Sequence, residues 1–256
     1  IGGDGGSGIV IIRYPLRQEN PVTAAGRDVG DGLVLDLDFA KPTVYSGSGS
    51  TVSDSRLNGI EGDIIGSPVF ANSRTHRSAF EFTSNSDYID FVNTESTEFS
   101  ASGNWSVGVW MNQTDFASNF GGSTNPGIFG TGRNNPNSWA IWTDDSPSIS
   151  GRFELNDSSR NRYYTYFGSL NQNQWYFLFV TYNNKTVKAF TNGILNDSST
   201  YPANDDFRND FVLGRRKGDS SRTFPGLVGT AYIFNRTLTD AEVLELYNAT
   251  RWRFGL

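Results

Sequence analysis

An all-β fold, an antiparallel β-sandwich with one short C-terminal helix, is predicted by three features of this 256-residue chain. The first is the stretch Trp175 to Leu195, WYFLFVTYNNKTVKAFTNGIL. Tyr176, Leu178, Val180 and Tyr182 alternate there with Trp175, Phe177, Phe179 and Thr181, so both faces are largely apolar or aromatic, the pattern of a central strand covered on both sides. The second is turn chemistry: Asn183-Asn184 and Asn192-Gly193 supply residues that tolerate positive φ, and Thr186 to Phe190 between them reads as a returning strand. Parallel strands need a crossover of about a dozen residues, and these connections leave no room for one, so the sheet is antiparallel. The third is composition: 36% hydrophobic, 14% aromatic and 28 glycines describe many short strands joined by polar, glycine-containing turns.

A chain of this length suits one large sandwich and is short for two ordinary domains. Its net charge of -6 argues against nucleic acid or an anionic membrane as partner, and leaves neutral glycans and other proteins. No apolar run is long enough to span a bilayer and no signal-peptide pattern is present, so no membrane insertion is expected. Without cysteine there is no disulfide, thiolate catalysis or cysteine-ligated zinc. The chain starts at Ile1 and its one methionine is Met111, which points to a processed or partial product.

Three segments follow in order. Residues 1–20 form a glycine-rich lead running into Ile9-Val10-Ile11-Ile12-Arg13-Tyr14, a strand stopped by Pro15. A lone strand leaves its backbone unpaired, so it must join a sheet of this domain, of a preceding module or of a neighbouring subunit. Residues 21–31 read as a linker, and the expectation is that strand 9–14 anchors the chain outside the main sandwich. Residues 32–256 are the main domain, opening on Leu33, Leu35, Leu37 and Phe39 along one strand face with Asp36 and Asp38 opposite. Gly47 to Gly59 reads as loop. Near the C-terminus, Thr239 with Glu242 makes a capping box, and Val243, Leu244 and Tyr247 give the following helix an apolar face expected to plug one end of the sandwich. Trp252-Arg253-Phe254 is expected to pack on that helix or on a neighbour.

Gln174-Trp175-Tyr176-Phe177, Val180-Thr181-Tyr182-Asn183 and Lys188-Ala189-Phe190-Thr191-Asn192-Gly193 resemble the signature of laminin G-like modules in the concanavalin A-like lectin/glucanase superfamily. Blocks at 33–39, 79–82, 88–91, 104–110, 211–215 and 226–239 resemble the same family in the same order, over about 220 residues. The resemblance implies a two-sheet antiparallel jelly-roll sandwich. The GGSGIVIIRYP run resembles glycine-rich segments of phage tail-fibre and other virion surface proteins.

Hydrolases that resemble this family use a Glu-x-Asp-x-x-Glu run; here Glu61-Gly62-Asp63-Ile64-Ile65-Gly66 puts glycine at the last position, so the paired carboxylates of glycoside hydrolysis are incomplete. His76 is the only histidine and sits in the polar run Asn72 to Arg77, with no nucleophile motif beside it. Relatives with a structural calcium use an aspartate in the closing strand where this chain has Gly229. Asp36, Asp38 and Asp54 remain as candidate oxygen ligands of a differently built calcium site; no cofactor is required. For sugar recognition, Trp139, Trp142, Tyr163, Tyr164 and Arg162 are the candidates, with Tyr166 on the same strand, expected to line the concave face where rings stack on sugars and polar groups bond their hydroxyls. Trp110 and Trp175 read as core.

These features lead to the expectation of a non-enzymatic surface module of a virion (tail fibre, capsid decoration or appendage) or another extracellular assembly. Its partners are a glycan or host-surface receptor, and other subunits of a homo-oligomer through residues 1–20. The alternative is a glycoside hydrolase or the carbohydrate-binding module of one.

Overall fold

The computed structural model describes residues 30–256 except 57–58, 72–77, 92–102, 121–123, 133–134, 145–147 and 202–209. The strand expected at residues 9–14, most of the linker and His76 lie outside the described residues. Two sheets make the sandwich. Sheet I runs in the order β14 (Ile194–Thr200), β13 (Thr186–Thr191), β12 (Trp175–Asn183), β7 (Trp105–Gln113), β18 (Gly226–Phe234), β5 (Ala79–Phe82), β4 (Val69–Ala71), with β1 (Leu33–Asp38) also paired to β18. Sheet II runs β11 (Arg162–Ser169), β10 (Ser150–Asn156), β9 (Trp139–Asp144), β8 (Gly127–Gly130), β15 (Phe211–Leu213), β6 (Tyr88–Phe91), β3 (Glu61–Ile65), β2 (Thr51–Ser53). A small hairpin of β16 (Arg215–Arg216) and β17 (Asp219–Thr223) lies beside β8 through one parallel bridge, Thr223 to Gly127; the other described ladders are antiparallel.

Both turns predicted beside β12 are present, one of them shifted by a residue. Asn183 pairs with Thr186, so the loop is Asn184-Lys185, whose φ values of 43° and 72° fit the mirror-image turn that matches strand twist. Asn192-Gly193 turns as expected, with φ of 54° and 78°. The stretch expected to be loop from Gly47 to Gly59 contains β2, whose Val52 is fully buried although Thr51 and Ser53 are polar.

Strand alternation fills the interior. Val107, Val109 and Met111 of β7 and Tyr176, Leu178 and Val180 of β12 meet Ile89, Phe91, Phe129, Ile141, Phe153, Phe211 and Leu213 from sheet II. The other face of β12 is apolar too, and a second cluster forms there from Trp175, Phe177 and Phe179 with Trp110 of β7, Phe190, Tyr232 and Phe234. Gly108 has no Cβ because the Phe179 ring takes that space.

α1 (Asp240–Thr250) does not plug an end of the sandwich; it lies over the outer face of sheet I, where Leu238, Val243, Leu246 and Phe254 cover the second cluster. The reason is in the strands: a doubly apolar β12 needs a lid on its second face, and the helix supplies it. Trp175 accordingly belongs under Phe254, at 4.6 Å between ring centroids, and not between the sheets. None of the described helices is long and apolar enough to cross a membrane.

The capping box holds this lid. Thr239 Oγ1 accepts from the Glu242 backbone N–H at 3.2 Å, and Glu242 Oε2 accepts from the Thr239 N–H at 2.7 Å. Burial raises the Glu242 carboxyl, but the Arg236 guanidinium and the Thr239 donors outweigh it and hold the group below its ordinary value of 4.5. The folded chain then binds this proton more weakly than the unfolded chain. Its contribution is complete above the unfolded pKa and is lost as pH falls through the lowered folded value. The stability gap between the wild type and Glu242→Gln, measured by urea unfolding, is expected to be widest near neutral pH and to close below pH 4.5. A gap unchanged into the acid range removes the charge from the account.

Candidate functional site on the outer face of sheet II

Even-numbered residues of β11 and β9 point away from the sandwich interior, and the register sets them in transverse rows. Arg152 of β10 stands between Tyr166 and Trp142; Glu154 stands between Tyr164 and Ala140; Asn156 pairs with Arg162. In the first row the Arg152 guanidinium lies 5.1 Å from the Trp142 ring and 5.5 Å from the Tyr166 ring, and Asp144 fixes it with a 2.6 Å ion pair. Tyr164 meets Trp142 edge-on at 6.2 Å. Tyr166 is 45% exposed and Arg162 is exposed, so the accessible end of the row is at β11.

Two devices hold β11 in place. The Asp157 carboxylate accepts from the backbone N–H groups of Ser159 and Asn161 at 2.9 and 2.8 Å, from the Asn161 amide at 2.8 Å and from the Tyr163 hydroxyl at 3.1 Å. Burial opposes ionisation of Asp157, yet these donors hold its carboxyl below the usual range. On the other side β14 reaches across from sheet I: Asp197 Oδ2 accepts from the Tyr166 N–H at 3.0 Å, and Ser199 Oγ donates to the Tyr164 carbonyl at 3.3 Å. The edge of β11 is thereby paired through side chains, which fixes Tyr164 and Tyr166 on a rigid support.

The five sugar-binding candidates divide by strand parity. Tyr164 and Arg162 face outward and are accessible. Trp139 is a correction: it is fully buried between the sheets, edge-on to Phe129 at 5.2 Å. Tyr163 is a second correction, because it packs inward against Tyr201 at 5.2 Å. Trp142 is on the outer face but only 2% exposed, since the Arg216 guanidinium lies 4.4 Å above its ring in addition to Arg152. It supports the row from below and offers no free ring face. Tyr166 and Arg152 are the residues that complete the row.

The incomplete acidic run lies at the far end of the same sheet. Glu61 and Asp63 share the exposed face of β3, and Asp63 pairs with Asp90, which Lys217 holds at 3.1 Å. Gly66 has φ of 82°, and a Cβ there would stand 2.5 Å from Asp87 Oδ1 and 2.6 Å from the Ser86 carbonyl oxygen. The position has no room for the second glutamate.

Asp36, Asp38 and Asp54 do not fit a calcium site as placed. Asp36 Oδ2 is held at 2.6 Å by both Lys41 Nζ and Ser55 Oγ, and Asp38 forms an ion pair with Arg253 at 2.7 Å. Asp54 caps backbone, accepting from the Asp36 N–H at 2.6 Å and the Arg56 N–H at 3.0 Å, while burial pushes its carboxyl above the usual range. The chain's own cations occupy the β1 carboxylates, and among the described residues no group of three or more His, Cys, Asp or Glu side chains is arranged to hold a metal. The space beside Gly229 is filled by the Phe254 ring.

Several solved structures share this architecture. The binding domain of Paraclostridial Mosquitocidal Protein 1 aligns with a TM-score of 0.67 at 18% identity, over 86% of this chain and 53% of that one. The receptor-binding domain of botulinum neurotoxin C/D mosaic serotype aligns at 0.65 and 19% identity, over 85% and 51%. The botulinum neurotoxin serotype G binding domain aligns at 0.66 and 17% identity, over 85% and 51%. The chain thus spans about half the length of each, and at these identities the likeness is one of fold. No curated protein matches the sequence. Residues 83–244 match a laminin G family described as the concanavalin A-like lectin/glucanases superfamily, and the chain belongs to that family.

Proposed function

We propose that this chain is a non-enzymatic recognition module that binds a glycan through Tyr166, Tyr164, Arg152 and Arg162, displayed on a virion surface or another extracellular assembly. The observation that carries the reading is the row Trp142–Arg152–Tyr166: an exposed ring, a guanidinium fixed beside it by Asp144, and a buried indole beneath. A sugar ring stacks on a tyrosine face through its apolar C–H side, while fixed donors bond its hydroxyls. The superfamily's lectins and the binding domains that share the fold support recognition over catalysis. Attachment to the assembly is assigned to residues 1–20, which carry the glycine-rich lead and the apolar run Ile9 to Ile12.

Immobilised glycans are the test. Tyr166→Ala is expected to weaken binding to the recognised glycan by about tenfold or more, the loss of one good stacking contact with its water exclusion. Arg162→Ala is expected to weaken it less, because that side chain is more solvated. Unchanged binding in Tyr166→Ala would remove this face from the reading. The competing reading, a hydrolase, requires new reducing ends from laminarin, agarose or carrageenan; the blocked position at Gly66 leads us to expect background levels.

A further inference from the structure

On the opposite side of the molecule a cleft of about 760 Å³ opens between the β12–β13 turn and the first turn of α1, within the size range of small-ligand sites. Thr181, Asn183, Thr186, Lys188, Leu238 and Asp240 are among its walls. Thr181 is 2% exposed and lines the cleft, and its hydroxyl bonds none of the described residues. The Thr186 hydroxyl and the Asn183 side-chain amide likewise bond none of the described residues. Asn183 is exposed and Thr186 half-buried, so these groups are left to water, and a ligand rich in hydroxyl and amide groups can bond them in its place.

Charge narrows the class. Lys188 Nζ bridges both oxygens of Asp240 at 2.7 and 3.0 Å, so the one cation and the one anion of the walls cancel. The positive end of α1 is already faced by Asp240 and Glu242 in its first turn, which removes its attraction for an anion. Among the described residues no aromatic ring lines the cleft, so recognition here rests on hydrogen bonds and not on stacking. We propose that this cleft binds a short neutral oligosaccharide, as a second site independent of the sheet II face.

The test is amide-shift mapping on the isotope-labelled full chain, with maltotriose, laminaritriose and triacetylchitotriose as neutral probes and a sulfated carrageenan oligosaccharide as the charged comparator. A neutral probe is expected to shift the amides of Thr181, Asn183, Thr186 and Ala241 in a saturable way. Asn183→Ala and Thr186→Val, both at the rim of a turn and neither in the core, are each expected to weaken that binding by about tenfold, the loss of one hydrogen bond to a desolvated partner. Tyr166→Ala is expected to leave it unchanged. That variant separates the two sites: a loss of glycan binding on sheet II with the cleft titration intact bears on the first reading alone. Absence of shifts with all three neutral probes, shifts only with the sulfated probe, or shifts insensitive to both cleft variants would overturn the proposal.

Discussion

Trp110→Ala is expected to lower the unfolding free energy by about 3–5 kcal/mol, a large part of the ~5–15 kcal/mol typical of a whole domain. The side chain has no exposed surface. Its ring stacks on Phe254 at 4.2 Å and on Tyr247 at 5.7 Å, and lies 5.2 Å from Phe177. Its indole N–H donates to Thr250 Oγ1 at 3.0 Å, and that hydroxyl in turn donates to the Leu246 carbonyl at 2.8 Å. One residue therefore ties β12, α1 and the C-terminal turn to β7. Truncating it leaves a cavity with aromatic walls and frees the last turn of the helix. Hydrogen exchange locates the damage: amides of α1 are expected to lose protection before those of β7 and β12. Leu178→Ala, which empties space between the sheets, is expected to reduce protection across both sheets alike. A cost below about 1 kcal/mol for Trp110→Ala, or equal loss of protection in helix and strands, would show that the lid is not held by this ring.

The legible parts of the fold were those where one physical signal repeats. Strict alternation with aromatic residues on both faces marked β12 as doubly covered, and that alone implied a second apolar layer outside the sandwich. The cover was nevertheless expected at one end, because the helix shows its capping box in sequence but not its target. The target is set by Trp110, Phe177 and Tyr232, which come from three strands and share no local pattern. Strands β2, β14 and the β16–β17 hairpin carry few large apolar residues, so their pairing is decided by neighbours and not by propensity.

Two of the five sugar-binding candidates, one from each pair, had to face inward by a rule already available in the sequence. In a strand of period two, Trp139 and Trp142 are three apart and must face opposite ways, as must the adjacent Tyr163 and Tyr164. Choosing which member faces out needed the register, and the same register sets Arg152 beside Tyr166. The burial of Trp142 was not legible, because Arg216 reaches it from a hairpin more than seventy residues away along the chain. The carboxylates near β1 failed for a similar reason. Asp38 is neutralised by Arg253, and nothing in either local sequence connects the two.

Gly229→Asp carries the second large effect, since it puts the aspartate that the laminin G-like resemblance implies for the closing strand into a chain that has filled its place. A Cβ at Gly229 would stand 2.5 Å from Phe254 Cε1, 2.9 Å from Cζ and 3.4 Å from Trp175 Cη2. Gly229→Ala is therefore expected to cost about 1–3 kcal/mol, by forcing Phe254 off its stack on Trp110. The aspartate adds an ionised carboxylate to an apolar layer, and its cost is expected to exceed that of alanine by about 1 kcal/mol or more. Urea unfolding of both variants, with and without calcium, reads the two effects separately. Calcium is expected to leave Gly229→Asp unrescued, because Lys41 and Arg253 already hold Asp36 and Asp38. Restored stability in calcium would show that the β1 carboxylates leave those cations for a metal once a further ligand is supplied. Equal stability of Gly229→Ala and the wild type would show that Phe254 has other places to go, and would remove the steric account of this glycine.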